Sequence, residues 1–261
     1  RLFDPGYPIA QIAPKKPQPE RPVLFERGPI PNPLAASSDR HRLIRLAHSE
    51  GDGRGVIVHE AFAAWERLWT DLGRSHYRET GMLMTARDPG DWAVACRAGF
   101  DRNGTPYEIW DRTRLAARCP YLRLTERDWG LYTPRGGALL AERILHDLAS
   151  WLASRGVAHH AGAEVATIDP DGAAVRLASG ERLEADAIIV ATGAWTGRLL
   201  PELTPLLEPR RTMLAYLLPP ADLAASWDDA PSFLDLGGPD DLYLVPPLEG
   251  LPLKFGAGST A

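Results

Sequence analysis

The clearest pattern in the chain runs over 139–155 (LLAERILHDLASWLASR). There Leu140, Ile144, Leu148, Trp151 and Leu152 share one face of a 3.6-residue period, and Gly156 follows as a stop. The spacing predicts a helix. A second is predicted over 56–72 (VIVHEAFAAWERLWTDL), ending before Gly73, and a short one over 111–118. Strand character comes first at Val23–Glu26 (VLFE) and then at 79–86 (ETGMLMTA). After the long helix the order is VAHH, AEVATI, a DPDG turn, AVRL, an ASGE turn and RLEADAIIVATG, which reads as strand, hairpin, strand and return to a sheet. Residues 209–218 and 231–255 have proline-bounded, alternating strand character. The run 187–191 (AIIVA) reads as a buried strand that surfaces at Thr192-Gly193, with Trp195 just beyond. A ligand seated where the strand ends would explain that pattern; a plain core strand ending in a turn fits nearly as well. Residues 39–48 (DRHRLIRLAH) are dense in cations, and Arg42 and Arg45 by themselves read as surface cations on an exposed helix face. Residues 1–22 are rich in proline and without period, an extended or disordered lead-in, and GDGRG at 51–55 reads as a turn.

Composition narrows the class. The chain has 261 residues, 44% of them hydrophobic, enough to bury a core in one large domain or two interleaved ones. Its net charge of −5 is spread along the chain, with no basic stripe for nucleic acid or a membrane surface. No apolar run approaches the length of a membrane span and no leader of the secretory type is present, so a cytoplasmic location is expected. Cys96 and Cys119 read as reduced thiols, and no metal is expected. The first residue is Arg1 and the last, Ala261, falls in mid-pattern, which suggests a fragment, a processed chain or an aberrant gene model. Of 29 basic residues only Lys15, Lys16 and Lys254 are lysines. Arginine is the default cation here, so Lys254, after an apolar pair and far from the tail, is an exception. A compact ammonium in a dry site can stabilise an anion developing on oxygen; one lysine by chance is the bland alternative. Glu26, a lone acid at a strand end, is what a dinucleotide fold uses to accept from a ribose, although such acids are more often simply solvated.

Taken in order, VLFERG, SSDRHRLIR, ETGMLM, GGALLAERILHDL, AEVATI, ADAIIVATGAWTGRLL, PRRTMLAYL and LKFG resemble the flavin-dependent amine oxidases of the D-amino-acid oxidase superfamily, most of all the monomeric sarcosine oxidase and N-methyl amino acid oxidase branch. The resemblance covers roughly residues 21–258. It implies an α/β (α+β) fold: a Rossmann-like FAD-binding sheet from discontinuous segments (23–75 and 135–208) and an antiparallel-sheet substrate domain (76–134 and 209–261). It assigns Glu26 to the adenosine ribose and Val165 to the adenine. Ala191, Thr192, Gly193 and Trp195 fall near the dinucleotide, and Ser37, Ser38 and Arg42 near the pyrophosphate or flavin. Arg45 would face the substrate, where a guanidinium fork grips a carboxylate. Lys254 matches the lysine beside the flavin, and Tyr243 would border the substrate pocket, the alternative being a core tyrosine.

Three departures from that family pattern stand out. No GxGxxG loop precedes Val23. The segment that closes over the flavin and carries a covalent cysteine would lie beyond Ala261, and neither Cys96 nor Cys119 fits its role. Gly258 stands where the branch has a histidine. The expectation is an FAD-dependent oxidoreductase of the C–N bond of a small secondary amine or N-methyl amino acid. Oxygen would accept the electrons, and FAD would be held weakly and non-covalently. The alternatives are a flavin dehydrogenase with another acceptor, and a non-catalytic remnant acting as a binding or assembly subunit.

Overall fold

In a computed structural model, residues 22–48, 54–210, 212–236 and 242–257 are described. The lead-in up to residue 21, most of GDGRG and Gly258 lie outside them. In chain order the elements are β1 (Val23–Glu26), β2 (Arg42–Arg45), α1 (Arg54–Leu72), β3 (Tyr77–Glu79), β4 (Met82–Ala86), α2 (Trp92–Asn103), β5 (Glu108–Trp110), α3 (Arg112–Arg118), β6 (Trp129–Thr133), β7 (Gly136–Leu139) and α4 (Ala141–Ser154). They continue with β8 (Ala158–Ala161), β9 (Val165–Asp169), β10 (Ala174–Leu177), β11 (Arg182–Glu184), α5 (Thr196–Leu199), β12 (Leu214–Leu217), β13 (Ser232–Asp235), β14 (Leu242–Val245) and β15 (Leu253–Ala257). The architecture is mixed α/β, in line with the fold class expected from the sequence.

The largest sheet has the order β12-β15-β14-β13-β4-β6-β5. Every pairing in it is antiparallel except β13 with β4, where Phe233 lies opposite Leu83. All five residues of β4 are buried, as a central strand covered on both faces requires. Met82 and Met84 point into one core with Ile44, Phe62, Phe100, Leu131, Ile144 and Leu234. Leu83 points the other way, into a second core with Trp110, Leu115, Phe233, Leu244 and Leu253. The helices predicted from spacing form for the expected reason. Val58, Phe62 and Trp69 on α1 are buried at helical intervals. After α4, Gly156 adopts φ +81 and the Val157 N–H returns to the Leu152 carbonyl, closing the helix end that a residue with a Cβ would strain.

Three smaller sheets complete the fold. β2, β7 and β3 form an antiparallel set, β9, β10 and β11 form a meander, and β1 pairs β8 in parallel. The predicted hairpin and the VLFE and VAHH strands are therefore present. Arg42 and Arg45, which by themselves read as helical, stand on a strand.

The buried strand expected over 187–191 is not formed. Residues 187–192 carry no regular structure, and Ile189 is 91% exposed. The backbone leaves the β10–β11 pair with the Ala185 N–H on the Ala173 carbonyl and pairs with no strand among the described residues. An apolar run becomes a buried strand only when neighbours satisfy its amides and cover its faces, and hydrophobic pattern alone does not report whether those neighbours are there.

Candidate active site

The predicted residues gather at two places. The first is the carboxyl end of β1. Glu26 Oε1 accepts from the Gly28 N–H at 2.9 Å and from Asn32 Nδ2 at 2.8 Å, which closes the turn after the strand. Oε2 accepts no hydrogen bond among the described residues. The Glu26 carbonyl takes the Ala163 N–H at 2.9 Å, bringing the entry to β9, and with it Val165, alongside. From the other side Trp195 arrives beneath Arg27, whose guanidinium carbon lies 4.5 Å from the ring centre. Gly193 opens this segment at φ +53, and Thr192 and Thr196 join through their hydroxyls at 3.1 Å. Glu26, Val165, Thr192, Gly193 and Trp195 thus share one end of the parallel pair, while Ala191 is exposed just before it.

The second place is where β12 and β15 meet the loop before β2. Tyr216 and Lys254 are cross-strand partners, and Tyr243 is the partner of Gly256 two residues along. Period-2 alternation puts all three side chains on the face opposite Leu253, which enters the second core. Tyr243 lies over β15 at Gly256, where an added Cβ would strike its ring. Lys254 is 1% exposed. Its ammonium donates to Asp39 Oδ2 at 2.6 Å and to the His41 carbonyl at 2.9 Å, and sits 5.7 Å from the Tyr243 ring centre. Asp39 also accepts from the Tyr216 hydroxyl and has Arg42 Nε at 3.4 Å. Burial pushes the Asp39 carboxyl up, but hydrogen bonds from Lys254 and Tyr216 and the charges of Lys254 and Arg42 prevail and hold it below its usual range. Burial draws the Lys254 ammonium below its usual range, against the pull of Asp39. The downward shift leaves Asp39 a carboxylate at neutral pH, facing the Lys254 nitrogen at hydrogen-bond distance. Tyr216 and Tyr243 are pushed up, mainly by burial.

Arg42 and Arg45 occupy positions of opposite parity on β2, so they face opposite ways. Arg42 joins the Lys254 group and also donates to the Ala36 carbonyl. Arg45 stacks over Trp92 with its guanidinium carbon 4.9 Å from the ring centre, away from that group. Ser37 and Ser38 are exposed in the turn that leads to Asp39.

Sequence reasoning missed Asp39, Tyr216 and His41. Asp39 had a signal: it is the lone acid in a cation-dense run, in a chain whose isolated lysine needs a counter-ion. His41 is fully buried, and neither ring nitrogen makes a hydrogen bond of good geometry. Burial first, then the Lys254 charge, pull its pKa from 6.5 down to about 4, so the imidazole is neutral.

Residues 13–261 match the DAO family, described as FAD dependent oxidoreductase. The chain belongs to that family. Among curated DAO relatives, it is 26% identical over 178 residues to the peroxisomal sarcosine oxidase of Mus musculus, covering 68% of this chain and 45% of that protein. It is 23% identical to the monomeric sarcosine oxidase of Bacillus sp. (strain B-0618), covering 82% and 56%. The chain thus spans about half the length of these curated relatives. Solved DAO-type structures share the fold. NikD, an unusual amino acid oxidase essential for nikkomycin biosynthesis, superimposes with TM-score 0.71 at 20% identity, over 91% of this chain and 63% of its own. Amadoriase I from Aspergillus fumigatus does so with TM-score 0.68 at 19% identity, over 89% and 55%.

The family's cofactor is FAD, and the described residues fit its two ends. Glu26 offers a carboxylate oxygen at a strand end, beside Trp195. The second place offers a buried ammonium and two unpartnered imidazole nitrogens. No glycine-rich phosphate loop occurs among the described residues. No helix among them is long and apolar enough to cross a membrane.

Proposed function

We propose that this chain is part of an FAD-dependent amine oxidase that oxidises the C–N bond of a small secondary amine or N-methyl amino acid, with oxygen as acceptor and hydrogen peroxide as product. The observation that carries the reading is Lys254, an ammonium held 1% exposed on β15 beside two tyrosines and Arg42. In this reading Glu26 accepts from the ribose of FAD, with Val165, Ala191, Thr192, Gly193 and Trp195 around the adenosine half. Ser37, Ser38 and Arg42 lie toward the pyrophosphate and flavin. FAD, when bound, supplies the hydride acceptor for the amine. Lys254 supplies a fixed positive charge where oxygen is reduced, and in a dry site that charge favours the anionic product over the neutral reactant. Arg45, over Trp92 on the side of β2 away from Lys254, grips a substrate carboxylate, and Tyr243 borders the pocket from the Lys254 side.

The relatives named as sarcosine oxidases and as an amino acid oxidase support the substrate class. The test separates two half-reactions by stopped flow in FAD-loaded protein. Lys254→Met should leave anaerobic reduction by amine within about tenfold, roughly 1.4 kcal/mol in barrier, and slow reoxidation by oxygen far more. Equal slowing of both would make Lys254 structural, and no slowing of either would remove it from the reaction.

A further inference from the structure

Lys254 is held by groups to which the proposed reaction gives no part. We propose that Asp39, oriented by the Tyr216 hydroxyl, is a positioning residue for Lys254: it fixes the lysine side chain in one direction and keeps it an ammonium in a buried site.

The geometry argues this from both partners. Asp39 has its side chain only 2% exposed, and Lys254 has 1%. Two of the three ammonium donors are spent on the loop before β2, on Asp39 Oδ2 and the His41 carbonyl. The third has no partner among the described residues, so it is the one free for a ligand. On the other side, Asp39 receives the Tyr216 hydroxyl and its neighbour's amide, Arg40 N–H, on Oδ1, which leaves Oδ2 for the lysine. The carboxylate is therefore aimed before the lysine meets it.

The surroundings explain why the carboxylate is needed. The groups facing Lys254 are Tyr216 from β12, Tyr243 from β14, Arg42 from β2 and His41 beside it, with Arg40 over the Tyr216 ring at 5.2 Å. Asp39 is the one acid among these described neighbours. Without it, burial and the Arg42 charge both act to neutralise the lysine, and only uncharged groups, the His41 carbonyl and the Tyr243 ring, oppose them. Lys254 is the cation that yields, because a guanidinium does not give up its proton in a protein. Asp39 would thus sustain the charge on which the proposed oxygen step depends without touching oxygen or substrate; that consequence rests on the function proposed above.

The chain's small lysine count makes the claim directly measurable. With lysine labelled by 13C at Cε, the cofactor-free protein gives only three lysine signals, from Lys15, Lys16 and Lys254, and Lys254→Met assigns the third. Asp39→Asn is expected to lower the Lys254 titration midpoint by about 2 units or more, in the range of buried lysines, and Asp39→Glu to restore most of it. An unchanged midpoint in folded Asp39→Asn overturns the proposal. Should Asp39→Asn not fold, the double variant Asp39→Asn/Lys254→Met decides. Recovery of folding shows that the uncompensated lysine was the fault, whereas no recovery assigns Asp39 a structural role unrelated to Lys254 and overturns the proposal. In FAD-loaded Asp39→Asn, reoxidation should fall as pH rises through the lowered midpoint. Were the Lys254 oxygen role wrong, reoxidation would be indifferent to Lys254→Met while the NMR shift stood.

Discussion

Acidification should destabilise this fold through His41 before it touches the ion pair beside it. The imidazole is fully buried, without a well-formed hydrogen bond, and next to the Lys254 ammonium. Its pKa is about 4 in the folded chain against 6.5 ordinarily. Between those values the unfolded chain binds a proton that the folded chain does not, so stability rises with pH and is lost as pH falls from 6.5 toward 4. The interval of about 2.5 units corresponds to about 3 kcal/mol at 1.36 kcal/mol per unit, a large share of a typical domain's stability. Asp39 contributes in the same direction, but its carboxyl is held below 3.8, so its loss begins under this window. Urea unfolding of the parent chain and of His41→Leu at half-unit steps from pH 7.5 to 4 reads the difference. His41→Leu removes an unsatisfied buried group and should lie within about 1.5 kcal/mol of the parent at pH 7.5. Relative to His41→Leu, the parent should lose about 3 kcal/mol as pH falls from 6.5 to 4, whatever the offset between them at pH 7.5. Parallel curves across the whole window would refute the reasoning, whatever other groups titrate.

Further outcomes follow from other sites. Arg45→Ala should raise the Michaelis constant for a carboxylate-bearing amine by an amount worth about 2–4 kcal/mol and leave an uncharged amine nearly unaffected; an equal loss for both removes the carboxylate role. Gly256→Ala should push the Tyr243 ring off β15 and cost about 1–3 kcal/mol in thermal or urea unfolding, more than the same change at Gly90, which has open space around it. FAD added to the chain should bind weakly, below one per chain after gel filtration, and without covalent attachment; flavin retained through acid precipitation contradicts this. Met84→Ala should cost about 2–5 kcal/mol, because the side chain is completely buried in the larger core.

What the sequence disclosed follows from how far apart the partners are. α4 was legible because its periodic face and its stop lie within 18 consecutive residues. The β9–β11 meander was legible because its turns carry Asp-Gly and Ser-Gly signals between the strands they join. Lys254 was noticeable from composition alone. Asp39 was less so: as the lone acid of a cation-dense run it is marked as a counter-ion, but its contact spans 215 positions and nothing local says for which cation. The error at 187–191 has a related cause: hydrophobicity states that a segment would gain from burial, while burial also needs a strand on either side. Arg42 and Arg45 were distinguished only once β2 proved to be a strand, where their odd spacing turns them to opposite faces.

The parallel contact of β13 with β4 has a consequence for how the chain reaches this state. Among the described residues, the strands of the two halves of the large sheet, residues 82–133 and 214–257, pair only along that edge. On the ribosome, β4, β5 and β6 emerge well before β13 exists. Until it does, β4 offers the amides of its Met82–Leu83–Met84 run to any strand nearby. Such late, non-local closure slows folding and exposes intermediates to self-association. Loss of material during expression is therefore expected to track growth temperature and chaperone supply more closely than the thermal stability of the finished molecule, and a charged residue at exposed Glu79 or Arg87, which flank the run, is a feature to retain in any redesign.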